Sequence, residues 1–312
     1  MMSDFVQQQH SVCNFDSADS WVILSPIEQS IKNKIEAVGT PLKDWDINIY
    51  RGVLTGFNDA FIINTEKRKE ILDNCLSDEE RQKTAELIRP ILRGRDIKRY
   101  GYDWANLWLI YIPWHFPYQF DESIQGASEK AEKAFKEQYP SVYSHMLQYK
   151  EPLSKRNKAE TGIRYEWYAM QRWGAKYWEE FYKPKIIYPN MTKYMPFVYD
   201  KESYMTNQKC FIITGKHVAF LTAFLNSSLF KYCFRESFPE LQGGTREMSK
   251  IFFDKIPVIP ILDDIDILFR EMVADIQKEY TSQKAIEIDS MIFDLYDLSP
   301  EERETIGFVE IQ

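Results

Sequence analysis

The sequence predicts a mixed α/β fold: a β-sheet-containing domain followed by a helical C-terminal region. Three observations carry this. Short β-branched and aromatic runs, "KPKIIYP", "PFVYD" and "KCFIIT", alternate with polar stretches, as strands do. Serines followed three residues later by glutamate mark helix starts. From Asp263 onward, apolar residues recur at helical spacing.

In chain order, residues 1–24 read as a loose polar leader. "SPIEQSIKNKIEAVG" is a helix: Ser25 caps it, Pro26 fits its first turn, Glu28 completes a capping box and Gly39 ends it. "INIYRGVLTGFNDAFIIN" reads as two strands joined by a glycine-rich turn. "SDEERQKTAELI" repeats the capping box. "LWLIYIP" is a buried strand, and residues 127–149 form two helices, the second opened by Pro140. The three runs named above are short strands. "HVAFLTAFLNSSLFKYCF" is an apolar helical region split near Asn226–Ser228. "GGTREMSKIFFDKIPVIP" is a loop leading into an edge strand, and the remainder is an amphipathic helical tail in which Ser299 caps "LSPEERE". This divides the chain into a leader (1–24), a sheet-containing domain (25–260) and an acidic helical tail packed on it (261–312).

Apolar residues at 44% and charged residues at 28% are ordinary for a globular chain, while 15% aromatics is high. No run of ~18 apolar residues suggests a membrane span, and the N-terminus lacks the pattern of a signal peptide. Cys13, Cys75, Cys210 and Cys233 form no CxxC pair, so a reducing cytoplasm is the expected compartment. His10, His115, His145 and His217 show no metal-ligand spacing, so no metal site is expected. The formal charge of −8 is unevenly spread. Residues 261–312 hold 14 acidic and 4 basic side chains, leaving the rest slightly positive. Residues 81–100 hold seven basic against two acidic, and residues 150–193 ten against five.

Motifs for phosphate loops, dinucleotide folds, nucleophile elbows and zinc hydrolases are missing. What remains is recognition chemistry. "RGVLTGFN", "RGRDIKRY" and "QGGTREMSK" are polar loops in which glycine permits close backbone approach and its neighbours supply donors. Arg51, Thr55 and Asn58 are candidate DNA contacts from the first loop, against a purely structural turn at Gly52 and Gly56. Arg93, Arg95, Lys98 and Arg99 come from the second, against a salt-bridged turn around Asp96. Gln242, Thr245 and Arg246 come from the third.

The series "NIYRGVLTGFNDAFII", "IRPILRGRDIKRY", "WLIYIP", "YKPKIIYPNMTKYMPFVYD", "FLTAFLNSSLFKYCF", "GGTREMSKIFFDKIPV" and "IEIDSMIFDLYDLSPEE" resembles, in order and spacing, the TaqI-like specificity domain. That domain is the C-terminal target-recognition half of adenine-specific DNA methyltransferases and of fused type IIG restriction–modification enzymes. The resemblance spans roughly Trp21 to Glu302 and implies sequence-specific binding of double-stranded DNA. Neither the cofactor-binding glycine motif nor the Asn-Pro-Pro-Tyr motif of the methyltransferase half is present. The resemblance therefore implies a chain that is not an enzyme on its own, with catalysis from a methyltransferase or nuclease domain or subunit. S-adenosylmethionine is expected only for that missing part. Base-reading residues differ between targets, so Arg164, Arg172, Lys176, Lys193 and Tyr194, in the less family-like region, join the candidates. Trp167, Trp173 and Trp178 fit a core better than a stacking surface. Two rivals stand beside this reading: a diverged nuclease or methyltransferase, and an interaction or specificity subunit that docks through the acidic tail.

Overall fold

The computed structural model describes residues 24–310; the expected leader, with His10 and Cys13, lies outside the described residues apart from residue 24. The principal strands are β1 (Ile47–Arg51), β2 (Ile62–Asn64), β3 (Ile88–Leu92), β4 (Leu107–Ile110), β5 (Lys185–Pro189), β6 (Val198–Asp200), β7 (Met205–Thr206) and β8 (Cys210–Gly215). The principal helices are α1 (Pro26–Val38), α2 (Thr65–Asp73), α3 (Asp78–Leu87), α4 (Glu129–Gln138), α5 (Pro140–Leu147), α6 (Val218–Asn226), α7 (Ser228–Phe234), α8 (Asp263–Lys278), α9 (Ser282–Leu295) and α10 (Pro300–Ile306). The mixed α/β class expected from the sequence is the one observed. Among the described residues, no helix is long and apolar enough to cross a membrane.

A four-stranded antiparallel sheet, ordered β6–β5–β8–β1, lies at the centre. Successive side chains on a strand point to opposite faces, and here both faces are covered. Ile49, Ile186, Tyr188 and Ile213 enter a core built with α1 and α6 to α10. Ile187, Val198, Cys210 and Ile212 enter a second core. This is why "KIIYP" carries no polar alternation: all five residues are buried. The second core packs a mixed sheet, ordered β7–β3–β4–β2 with β7 parallel to β3, against α2, α4, α5 and the aromatic segment around Tyr165–Phe181. Trp167 and Trp173 belong to this core.

Local chemistry accounts for most boundaries. Ser25 and Glu28 form the expected reciprocal box on α1, and Ser299 and Glu302 do so on α10. Ser77 caps α3, but Glu80 turns its carboxylate to the amides of Leu76 and Ser141 instead of closing the box. Ser227 separates α6 from α7 by capping the second. The segment 47–64 departs from expectation. Its strands belong to different sheets, with a short helix, Asn58–Phe61, between them. Gly52 explains the departure. A methyl group there would stand 2.1 Å from the Asn207 carbonyl oxygen, so the chain is pressed onto the Thr206–Asn207 backbone and crosses between sheets instead of turning back. The strand β3 and the helix α2 were not foreseen either. The first lies between the helix read over "SDEERQKTAELI" and the loop "RGRDIKRY", where no element is expected, and the second carries few apolar residues.

The acidic C-terminal helices contribute Phe269, Val273, Ile276, Ile288 and Ile292 to the first core. Each such side chain contributes about 1.5–3 kcal/mol on full burial. Glu302 ties α10 to α1, accepting from Ser30 Oγ at 2.7 Å and Lys34 Nζ at 2.8 Å. Burial opposes its charge, yet the bonds from Lys34, Ser30 and the Ser299 amide outweigh burial and hold its pKa at about 2. A depressed carboxylate stabilises the fold above its ordinary pKa of 4.5, and that stability is lost as pH falls from there towards about 2. Glu302→Gln should flatten the acid limb of stability in that window, measured by urea melts at a series of pH values. In the central sheet, Lys185 and Asp200 are directly opposed and fully buried, 2.5 Å apart. Asp200→Ala strands the ammonium and should cost about 3–5 kcal/mol in chemical denaturation, whereas Lys185→Met with Asp200→Leu should cost much less.

Candidate nucleic-acid interface

One end of the central sheet gathers the loops singled out in the sequence. Pro189 pairs with Cys210, and Phe211 with Arg51, so β1, β5 and β8 terminate at one level there. The chain leaving β5 is held by Asn190 N–H donating to the Lys209 carbonyl at 2.7 Å. Its own carbonyl accepts from Met248 N–H at 2.8 Å, and Arg246–Glu247 pairs with Met191–Thr192. Gly94 rests on Pro189, with only 3.2 Å between that ring and the place a side chain would take. Arg51 Nε donates to the Gln208 carbonyl at 2.9 Å, and Leu54 bridges to Arg172. Backbone contacts thus join the "RGVLTG", "GRDIKR", "NMTKYM", "NQK" and "GGTRE" segments into one surface.

That surface carries a row of exposed cations. Arg51, Arg95, Lys98, Lys176, Lys193 and Lys209 all project into solvent. Among the described residues, Lys98 alone of these six has a carboxylate within ion-pair reach, Asp103 at 3.7 Å, and both partners are exposed. Such a pair is worth little. Tyr194 and Met191 stand beside them, about half exposed, and with Arg95 and Lys98 border a hollow of about 340 Å³. Gln242 is exposed and Thr245 half-buried on a turn whose Gly243 and Gly244 have φ of 74° and 78°, values that glycine adopts without penalty.

Other sequence candidates are engaged by the chain itself. Arg93 forms a bidentate pair with Asp96, at 2.7 and 3.0 Å, which raises the guanidinium pKa. Arg99 is buried and donates to the carbonyls of Asn226 and Val309, each at 2.9 Å, so it braces the loop against α6 and the C-terminal segment. Arg246 is likewise buried, paired with Glu236 and Glu240. Thr55 is buried and donates to Asn58 Oδ1 at 2.7 Å; Asn58 itself is exposed. Arg164 and Arg172 share Glu160, though both remain half exposed, and both lie over the Trp114 ring. The reason is common to the buried members: a guanidinium supplies several donors in a fixed fork and can satisfy carbonyls where backbone segments converge.

Sequence reading missed two supports and one exposed cation. Lys231 is buried on α7 and donates to the carbonyls of Met195 at 2.6 Å and Tyr194 at 3.1 Å, fixing the "KYM" loop from beneath. Burial drives its pKa well below the ordinary lysine value. Arg156 bonds the carbonyls of Thr55, Trp167 and Ala169, and burial brings its pKa down to about 10. Lys209 sits in the turn before β8; its only sequence signal was a lone lysine between a polar stretch and a strand.

Residues 89–258, more than half of the chain, match the family model of the TaqI-like C-terminal specificity domain. The chain belongs to this family. The family is one of restriction–modification specificity domains, as the motif order implied. The match takes in the "GRDIKR", "NMTKYM", "NQK" and "GGTRE" segments and leaves Arg51 and the C-terminal helices outside it. A curated relative, the type II methyltransferase M.MjaIV of Methanocaldococcus jannaschii, is 22% identical over 248 residues, covering 76% of this chain and 72% of the relative. Among solved structures, the type IIG restriction endonuclease BpuSI aligns at 14% identity with a TM-score of 0.48, over 89% of this chain and 34% of that one. The type IIL restriction–modification enzyme MmeI, solved in complex with DNA, aligns at 10% identity with a TM-score of 0.49, over 82% and 33%. This specificity domain therefore spans about a third of each of those two proteins.

The division between braced and exposed arginines is open to measurement. Arg99→Met leaves buried carbonyls without donors and should lower stability by about 1–3 kcal/mol in urea unfolding. Arg95→Met should leave the unfolding midpoint unchanged. Equal midpoints for the two variants would contradict the assignment of Arg99 as a brace.

Proposed function

We propose that this specificity domain recognises a sequence in double-stranded DNA for an adenine-specific, type IIG-like restriction–modification system, with the reaction performed by a separate domain or subunit. The observation that carries the reading is the row of six exposed cations, almost free of carboxylate partners, at one end of the central sheet. Cations left unpaired on one surface of a chain whose net charge is −8 favour an anionic ligand at that surface. Phosphate contacts from Arg51, Arg95, Lys98, Lys176, Lys193 and Lys209 would set register. Tyr194, Gln242, Thr245 and the half-exposed Arg164 and Arg172 reach out as candidate base readers. An enzyme that methylates adenine must take the base out of the stack, so a separate surface that grips the flanking duplex suits it. S-adenosylmethionine would belong to the catalytic partner. Cytoplasmic action follows from the ligand.

The test is fluorescence anisotropy with mixed-sequence duplexes at low salt. Binding should weaken steeply as salt rises. Arg95→Ala, Lys193→Ala and Lys209→Ala should each weaken it across sequences and lower the magnitude of the salt slope by about one. Gln242→Ala or Tyr194→Ala should change preference among sequences more than overall affinity. Absence of binding to any duplex, with a cognate methyltransferase partner also present, rejects the reading.

A further inference from the structure

Beside the cationic row lies a pocket that the proposed function does not use. Its hollow measures about 230 Å³ and opens to solvent. The rings of Tyr111, Phe120, Trp173, Trp178 and Tyr182 line it. Phe120 stands at the rim, 61% exposed, with its centroid 5.5 Å from Trp178 and 6.5 Å from Trp173. None of the ring pairs around the pocket is stacked face to face, so the faces of Phe120 and Trp178 remain open to a flat ligand.

Two polar side chains face the same space without partners. Arg89 Nε and Gln119 Oε1 are both shielded from solvent, and among the described residues neither has a hydrogen-bond partner. Arg89 instead lies over the Tyr182 ring, Cζ 5.2 Å from its centroid. A shielded donor and a shielded acceptor left unmatched each cost free energy that a ligand can return. The ligand that fits is flat, π-rich and carries both a hydrogen-bond acceptor and a donor on its edge. We propose that this pocket binds a single nucleobase, stacked among Phe120, Trp178 and Tyr182, with its edge read by Arg89 and Gln119.

Position connects the pocket to the row. Lys176, Tyr177 and Trp178 are consecutive. Lys176 is one of the exposed cations, and Tyr177 stacks on Tyr50 at 4.5 Å and donates to the Arg51 carbonyl at 3.0 Å. Trp178 then lines the pocket. A strand whose phosphates follow Arg51 and Lys176 passes the mouth, and a base swung out of it enters without a long detour. The site rests on its own geometry, and only the supply of the base by bound DNA rests on the function proposed above.

The test has two arms on the full chain. In the first, free nucleosides and nucleoside monophosphates are titrated while tryptophan emission is followed. Saturable quenching is expected, and Phe120→Ala and Arg89→Gln should each weaken it on the order of tenfold. Phe120 is a rim residue, so its variant keeps the fold, which the unfolding midpoint verifies. In the second arm, duplexes carry 2-aminopurine at successive positions. Emission that rises on binding at one position, and no longer does in Phe120→Ala, assigns the base to DNA; binding of nucleosides without that change assigns it to a free nucleotide. Nucleoside binding in a chain that binds no duplex even with its methyltransferase partner present would uphold the pocket and reject the DNA reading. Lack of saturable quenching by any nucleoside, or quenching that both variants leave intact, overturns the proposal.

Discussion

The pairing of β8 with β5 on one side and β1 on the other is the constraint on which the molecule depends. It places Arg51, Pro189 and Cys210 at one level. Because both faces of the sheet are buried, the register cannot slip. A shift by one residue would move Ile186, Tyr188 and Ile213 from one core to the other, and Ile187 and Ile212 the opposite way. The level of the sheet end is therefore as rigid as the two cores together, and every loop on the cationic surface hangs from it.

Charge is divided by depth. Arg99, Arg246, Arg156 and Lys231 lie beneath the loops and meet backbone carbonyls or their own carboxylates. Arg51, Arg95, Lys193 and Lys209 lie above and meet little but solvent. The first group spends its donors on holding shape, at a desolvation cost that convergent backbone acceptors offset. The second keeps its charge available. The acidic balance of the C-terminal helices stays compatible with this: their apolar stripe packs into the first core, most of their carboxylates face outward, and the buried ones are held within the chain, Asp266 by the Phe220 amide, Asp289 by Ser228 and Glu302 by α1.

Much of this was legible in the sequence, and what was not has physical causes. Helix starts were readable where a side chain caps its own backbone, as at Ser25, Ser77 and Ser299, because that chemistry is local. The three strands after Lys183 were readable because continuous burial leaves a continuous apolar run. The split of residues 47–64 between two sheets was not, since it follows from Gly52 meeting Asn207, more than 150 positions away. The same holds at the site. The loops could be named from glycine and charge, but which arginine turns inward depends on carbonyls from distant segments, as Arg99 does on Asn226 and Val309. Lys209 and Lys231 look alike in sequence, yet one is exposed and the other buried.

The loops at the sheet end come from separate stretches of chain, and each has its own anchor: Lys231 under Tyr194, Asp96 across Arg93, Glu236 and Glu240 on Arg246, Arg156 behind Thr55. Side chains that share no partner respond independently to substitution. Substitution can thus proceed loop by loop, each altered tip carried on an unchanged frame.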